Sequence, residues 1–173
     1  MSVFITSDLH FGHENLCRGL RNMSSKESDE LIISNWNKII NKKDKVFILG
    51  DLTMEKPNII MDYLNQLKGE KEIILGNHDY KSAKILIDNN IKVSGGCLYK
   101  GFWLSHIPIH ESQLEFVRGN LHGHIHKPGN IEGYGEYNPK INLGVKYFNV
   151  NIEFNNYFPF NFENIIDYFL NLK

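Results

Sequence analysis

Three short apolar runs in the first half of the chain each end in a burst of Asp, His, Asn and Gly. SVFITS (residues 2–7) runs into Asp8-Leu9-His10, KVFIL (45–49) into Gly50-Asp51, and KEIIL (71–75) into Gly76-Asn77-His78-Asp79. Each run is short, bounded by turn residues and rich in Val, Ile and Phe, which fits a strand buried on both faces. Between them lie segments with helical spacing. Residues 27–41 carry Ile32, Trp36, Ile39 and Ile40 on one stripe, and Ser24 with Glu27 has the form of a capping box. Residues 58–67 and 81–89 read as further helices. Alternation of this kind predicts an α/β fold, with a βαβα first half. Ligands of such sheets bind beyond the carboxyl ends of the strands, so the three polar clusters should converge.

From residue 91 the texture changes to strands, over 91–94, 97–105, 119–126 and 140–154, with 133–137 (GYGEY) as a surface loop and FENIIDYFLNL (162–172) as a closing helix. There is no repeat and no Pro-, Gly- or Ser-rich linker, so the 173 residues are expected to form a single domain, 1–173, with a sizeable core of its own. Hydrophobic residues make up 42% and charged residues 23%, and the formal net charge of −1 offers no overall basic field to attract nucleic acid or membrane. Cys17 and Cys97 are isolated, which argues against a disulfide framework or a zinc-thiolate site and suits a reducing cytoplasm. The opening MSVFITSDLHFGHEN meets polar and acidic residues too early for a signal peptide, and no apolar run approaches the roughly 20 residues of a membrane span.

All eight histidines lie within or beside the polar clusters: His10, His13, His78, His106, His110, His122, His124 and His126. Asp8 and His10 share a face if the chain is extended, and so do His124 and His126. By itself each piece has an ordinary structural explanation: a DxH pair is common, a GD after a strand is a turn, and NHD reads as an Asx-turn. LHGHIH (121–126) alone is equally compatible with a metal site, a general-acid site or a histidine-rich strand. The conjunction of clusters is what points to a site.

The motifs DLH (8–10), GD (50–51), GNHD (76–79), His106 and GHIH (123–126), in that order, resemble those of the calcineurin-like metallophosphoesterase superfamily. SDLHFGHEN (7–15) and INLGV (141–145) also look like a small stand-alone branch found in bacteria and phages. The resemblance implies a four-layer α-β-β-α sandwich, two β-sheets flanked by helices, with a dinuclear metal site at the strand ends. One ion would be held by Asp8, His10, Asp51 and His126, and the second by Asp51, Asn77, His106 and His124, with Asp51 bridging. His78 would donate a proton to the leaving group, oriented by Asp79. Two divalent ions clamp the phosphoryl oxygens and activate a bridging hydroxide for in-line attack. Nitrogen and oxygen ligands without cysteine suit Mn²⁺, Fe, Ni²⁺, Co²⁺ or Zn²⁺, with Mn²⁺ favoured by availability. Asn77, a neutral oxygen ligand, leaves the site net positive for an anionic substrate.

The second motif continues as GDLTMEK (50–56), lacking the GDxxDRG of protein phosphatases of this superfamily and the arginine that grips a monoester dianion. The sequence therefore favours a phosphodiesterase acting on nucleotide or nucleic-acid-like esters. The alternatives are a small-molecule phosphomonoesterase and a non-catalytic scaffold of the same fold, the latter disfavoured by the complete ligand set and His78. His13, Arg18 (or Arg21), His110 and His122 are candidate substrate contacts. Lys42, Lys43 and Lys45 cluster near a helix end, where solvation explains them. No obligate protein partner is expected.

Overall fold

The computed structural model describes residues 1–131, 135–137, 139 and 143–172. Four parallel strands, β1 (Val3–Thr6), β2 (Lys45–Ile48), β3 (Glu70–Ile74) and β4 (Lys92–Ser94), form the first sheet, with β11 (Phe160–Asn161) antiparallel on the free edge of β1. Crossovers between the parallel strands carry α1 (Glu14–Leu16) with a π-helical turn at Cys17–Arg21, then α2 (Ser25–Ile39), α3 (Ile60–Leu64) and α4 (Ala83–Asp88). The second sheet has the order β10 (Tyr147–Asn149), β7 (Gly119–His122), β6 (Phe102–Leu104), β5 (Cys97–Tyr99). A separate ribbon pairs β8 (Gly129–Ile131) with β9 (Gly135–Tyr137), and α5 (Phe162–Leu170) follows β11.

Strand alternation sorts the first sheet's residues onto two cores. Phe4, Val46, Ile48 and Ile73 face Ile32, Trp36 and Ile40 of the α2 region, Leu64 of α3 and Leu86 of α4. Val3, Ile5, Phe47, Leu49 and Ile74 meet Phe102, Leu104 and Leu121 of the second sheet, with Phe162 and Ile165 of α5. Full burial of each such side chain contributes about 1.5–3 kcal/mol, which is why these short strands hold. The chain thus adopts the expected α/β architecture of two sheets with packed helices. No helix among the described residues is long and apolar enough to cross a membrane.

Helix α2 begins where its cap dictates. Ser24 accepts from the Glu27 N–H at 3.2 Å, and Glu27 accepts from the Ser24 N–H at 2.8 Å. Elsewhere the expected boundaries shift. Residues 58–67 divide into a 3₁₀ turn, Pro57–Ile59, and the short α3, because Pro57 fixes the first turn without a side-chain cap. The single strand expected over 97–105 is a hairpin, β5 and β6, turning at Lys100 and Gly101, whose φ values of 45° and 86° suit a tight primed turn. Of 140–154 only Tyr147–Asn149 is a strand. Asn151 then caps a 3₁₀ helix, Ile152–Asn155, and residues 140–142 lie outside the described residues. Of the loop expected at 133–137, Gly135–Tyr137 is β9, and residues 133 and 134 lie outside the described residues.

Candidate metal centre

The three strand-end clusters meet through their backbones. Asp8 N–H donates to Gly50 O at 2.9 Å and His10 N–H to Asp51 O at 3.0 Å. The Asp79 carboxylate accepts from the N–H groups of Asp51 (2.7 Å), Leu52 (3.0 Å) and Gly76 (2.8 Å), tying the second cluster to the third. From the second sheet, His124 N–H donates to Asp8 Oδ2 at 2.9 Å. Close approach is built into the glycines. A Cβ on Gly123 would collide with Ser7 Oγ and Asp8 Oδ2, and one on Gly76 with Asp51 Oδ1. Four of the expected ligands, Asp8, His10, Asp51 and His124, hold φ values of 56°, 48°, 54° and 68°. Left-handed backbone at non-glycine residues costs about 1–3 kcal/mol each and persists where the surroundings enforce it, typically at functional sites. Buried Arg21 is one enforcer: its guanidinium donates to the carbonyls of Asp8 (2.7 Å) and Leu9 (3.0 Å).

Two clusters of metal-ligating atoms result, Asp8 with His10 and His126, and Asp51 with His106 and His124. Asp51 Oδ2 lies 3.6 Å from His10 Nε2 and 3.3 Å from His106 Nε2, so one carboxylate oxygen faces both. Asp8 Oδ1 lies 3.8 Å from His10 Nε2 and 3.6 Å from His126 Nε2. His106 Nδ1–H donates to Leu49 O at 2.8 Å, and Nε2 faces Asn77 Oδ1 at 2.9 Å and His124 Nδ1 at 3.3 Å, so that the ring, once deprotonated at Nε2, would offer that lone pair to a cation. Oxygen and nitrogen acceptors aimed at one another in this way call for a cation between them. Both ring nitrogens of His10 are buried without a hydrogen-bond partner among the described residues, a cost that a bound cation would remove. On these observations the residues fit divalent metal ions.

The electrostatics agree. Burial pushes the Asp8 carboxyl up, against the pull of His126 and His106. Burial acts likewise on Asp51, but the hydrogen bond and charge of His106 outweigh it and hold Asp51 below the usual carboxylate range. Burial, with the neighbouring charges of His126 and Arg21, drives His10 well down. For His106, burial is overcome by Asp51, and its pKa rises to about 9. The site is poised for positive charge that its own side chains supply only in part.

Above the clusters lies a cavity of about 280 Å³ whose walls include His13, Asp51, Met54, His78, His124 and Tyr137. His78 has a half-exposed ring, with Nε2 3.9 Å from Asp51 Oδ2, and its N–H donates to Asp51 Oδ1 at 3.1 Å. His13 stands 5.4 Å, centroid to centroid, from His10, and burial lowers its pKa to about 4.

Four expectations change. Asp79 makes no hydrogen bond to the His78 ring, because its two oxygens are taken by three backbone N–H groups; it clamps the loops instead of orienting the histidine. Arg18 is exposed, pairs with Glu14 and lines a separate depression with Asn22, Met23 and Ser24, outside the cavity wall. His110 is also remote from that wall: its Nδ1 accepts from the Ser112 N–H, capping a 3₁₀ turn. His122 is buried on β7, its Nδ1 donating to Gly123 O at 2.9 Å, and it does not line the cavity. Two residues were not foreseen. Glu153 accepts from His126 Nδ1 at 2.9 Å and from Arg21 Nε at 3.1 Å, and these partners outweigh burial to hold its pKa at about 2. Tyr137 accepts from the His126 N–H at 3.3 Å and closes one side of the cavity.

Comparison with known proteins places this geometry in context. Residues 1–146 match the family described as calcineurin-like phosphoesterase. An uncharacterized protein of Methanocaldococcus jannaschii is 33% identical over 168 residues, covering 95% of this chain and 89% of its own length. The gene 66 protein of Mycobacterium phage L5 is 36% identical over 83 residues, 45% of this chain and 40% of that protein. Among solved structures, a protein of unknown function from Aquifex aeolicus superposes with a TM-score of 0.70 at 24% identity, covering 96% of this chain and 98% of that one, a likeness of fold.

Proposed function

Because the chain belongs to the calcineurin-like phosphoesterase family, a family of metal-dependent phosphoric ester hydrolases, we propose that it is a phosphodiesterase with a dinuclear metal centre. The observation that carries this reading is the position of Asp51 Oδ2, facing His10 on one side and His106 on the other. Asp8, His10, Asp51 and His126 would hold one ion, and Asp51, Asn77, His106 and His124 the other. Two divalent ions bound there, Mn²⁺ in this proposal, would supply charge neutralisation at the phosphoryl oxygens and acidify the attacking water.

The chain's own residues then do the rest. His78, at the exposed rim of the cavity, donates a proton from its imidazole to the departing oxygen. Its backbone bond to Asp51 Oδ1 fixes where the ring begins, so acid and ligand are set by one carboxylate. Tyr137, Met54 and Leu16 give the cavity apolar walls that limit water around the ester. The cavity wall contains no Lys or Arg among the described residues, which favours a diester monoanion over a monoester dianion.

Hydrolysis of bis-p-nitrophenyl phosphate and p-nitrophenyl phosphate with Mn²⁺, Ni²⁺ or Zn²⁺ tests the proposal, with Asp51→Ala as control. Metal-dependent turnover that prefers the diester is expected. Preference for the monoester would select the phosphomonoesterase alternative, and no turnover of either would overturn the enzyme reading.

A further inference from the structure

A groove of about 360 Å³ adjoins the metal cavity, with Met54, Lys56, Pro57, His78, Tyr80 and Lys81 among its walls. Met54 and His78 line both spaces, so the groove begins where the cavity ends. In the function proposed above, His78 protonates the leaving oxygen, and because His78 also lines the groove, the groove gives a group borne on that oxygen a place to lie. The groove's chemistry is specific in kind. Tyr80 is 69% exposed, an aromatic face with little packing reason to stand in solvent, and Met54 beside it is 43% exposed. Lys81 Nζ stands 5.4 Å over the Tyr80 ring, and Lys56 adds a second cation, against one acidic wall residue, Glu55.

An exposed aromatic ring with a cation over one face and a second cation on the groove wall suits a flat, electron-rich heterocycle next to phosphate, stacked on the other face. The volume lies within the usual range for small-molecule sites. We propose that this groove is the subsite for a nucleobase on the leaving-group side of the scissile phosphodiester, with the base stacked on Tyr80 and Lys56 and Lys81 flanking it. The inference rests on the phosphodiesterase reading and narrows its substrate class to nucleotide esters. Stacking on Tyr80 makes the subsite tolerant of base identity, since every base has a π-face.

The test is calorimetric binding to the full chain loaded with Mn²⁺, comparing adenosine 5′-monophosphate with ribose 5-phosphate, which lacks only the base. Base–aromatic stacking of about 1–3 kcal/mol corresponds to roughly 5- to 150-fold tighter binding of the nucleotide. In Tyr80→Ala that ratio is expected to fall to about one, and in Tyr80→Phe to persist. Equal affinity for the two ligands in the wild type, binding of neither, or an undiminished ratio in Tyr80→Ala would overturn the subsite. Binding requires no turnover, so the outcomes separate. Hydrolysis of bis-p-nitrophenyl phosphate without a base preference defeats the groove alone, and a Tyr80-dependent preference without hydrolysis of either ester defeats the enzyme reading alone.

Discussion

Glu153 accepts a hydrogen bond from His126 Nδ1 at 2.9 Å, joining two buried side chains 27 residues apart. The bond leaves the His126 Nε2 lone pair directed at Asp8 Oδ1, 3.6 Å away. Outer carboxylates of this kind fix the tautomer and ring orientation of a metal-binding histidine and make it more basic, and their loss costs about 10- to 100-fold in metal affinity. Arg21 holds Glu153 in place and is itself anchored by three other bonds, to Asp8 O, Leu9 O and Ser28 Oγ. Glu153→Gln is therefore expected to keep the fold while weakening Mn²⁺ binding about 10-fold or more. Metal titration of the two proteins reads this directly, and equal affinities would mean that Glu153 serves only to neutralise Arg21.

His78 is read as the proton donor, and its loss should depend on the leaving group. A departing alkoxide needs the proton and a nitrophenolate does not. His78→Ala is expected to slow cleavage of a dinucleoside monophosphate by about 100-fold or more, within the usual range for general acids. Turnover of bis-p-nitrophenyl phosphate should fall far less. Equal losses on both substrates would remove the proton-donor role.

Away from the centre, Glu72 tests the electrostatic account of the first sheet. Its buried carboxylate pairs with Lys45 at 2.8 Å and Lys92 at 2.7 Å. Burial raises its pKa, but the hydrogen bonds and charges of the two lysines outweigh that, and the folded-state value lies below the ordinary one. A depressed carboxylate contributes stability above its unfolded pKa, about 4.3, and loses it as pH falls through the folded value. Denaturant unfolding of Glu72→Gln should show a deficit against wild type at neutral pH that shrinks as the pH drops below about 4. A deficit constant across that range would assign the effect to packing instead of charge.

Much of this architecture was legible because its signals are local. The strands ending at Asp8, Asp51 and Asn77 announce themselves by short apolar runs and abrupt polar ends, and α2 by its capping box. Two Asp-His clusters that could hold metal lie where both the strand-end rule and the family motifs point. Glu153 was not. It lies in a segment that reads as a strand, and its partners His126 and Arg21 are 27 and 132 residues away, so no periodicity betrays it. Tyr137 was hidden likewise, in a stretch whose glycines suggest a loop until Gly129–Ile131 pairs with it. Asp79 departs from the orienting role that the resemblance implies because the turn sends its carboxylate inward to three backbone N–H groups. His110, His122 and Arg18, expected as substrate contacts, lie outside the cavity wall. Tertiary structure gave them a helix cap, a buried strand position and a surface ion pair.

The central claim is two metal ions sharing Asp51. An anomalous difference map from a crystal soaked in Mn²⁺ tests it most directly. The account predicts two peaks about 3.5–4 Å apart, the usual spacing of a two-metal site, with Asp51 touching both. One peak should fall among Asp8, His10 and His126, and the other among Asn77, His106 and His124. No peak at these residues, or a single peak without Asp51 among its ligands, would contradict it.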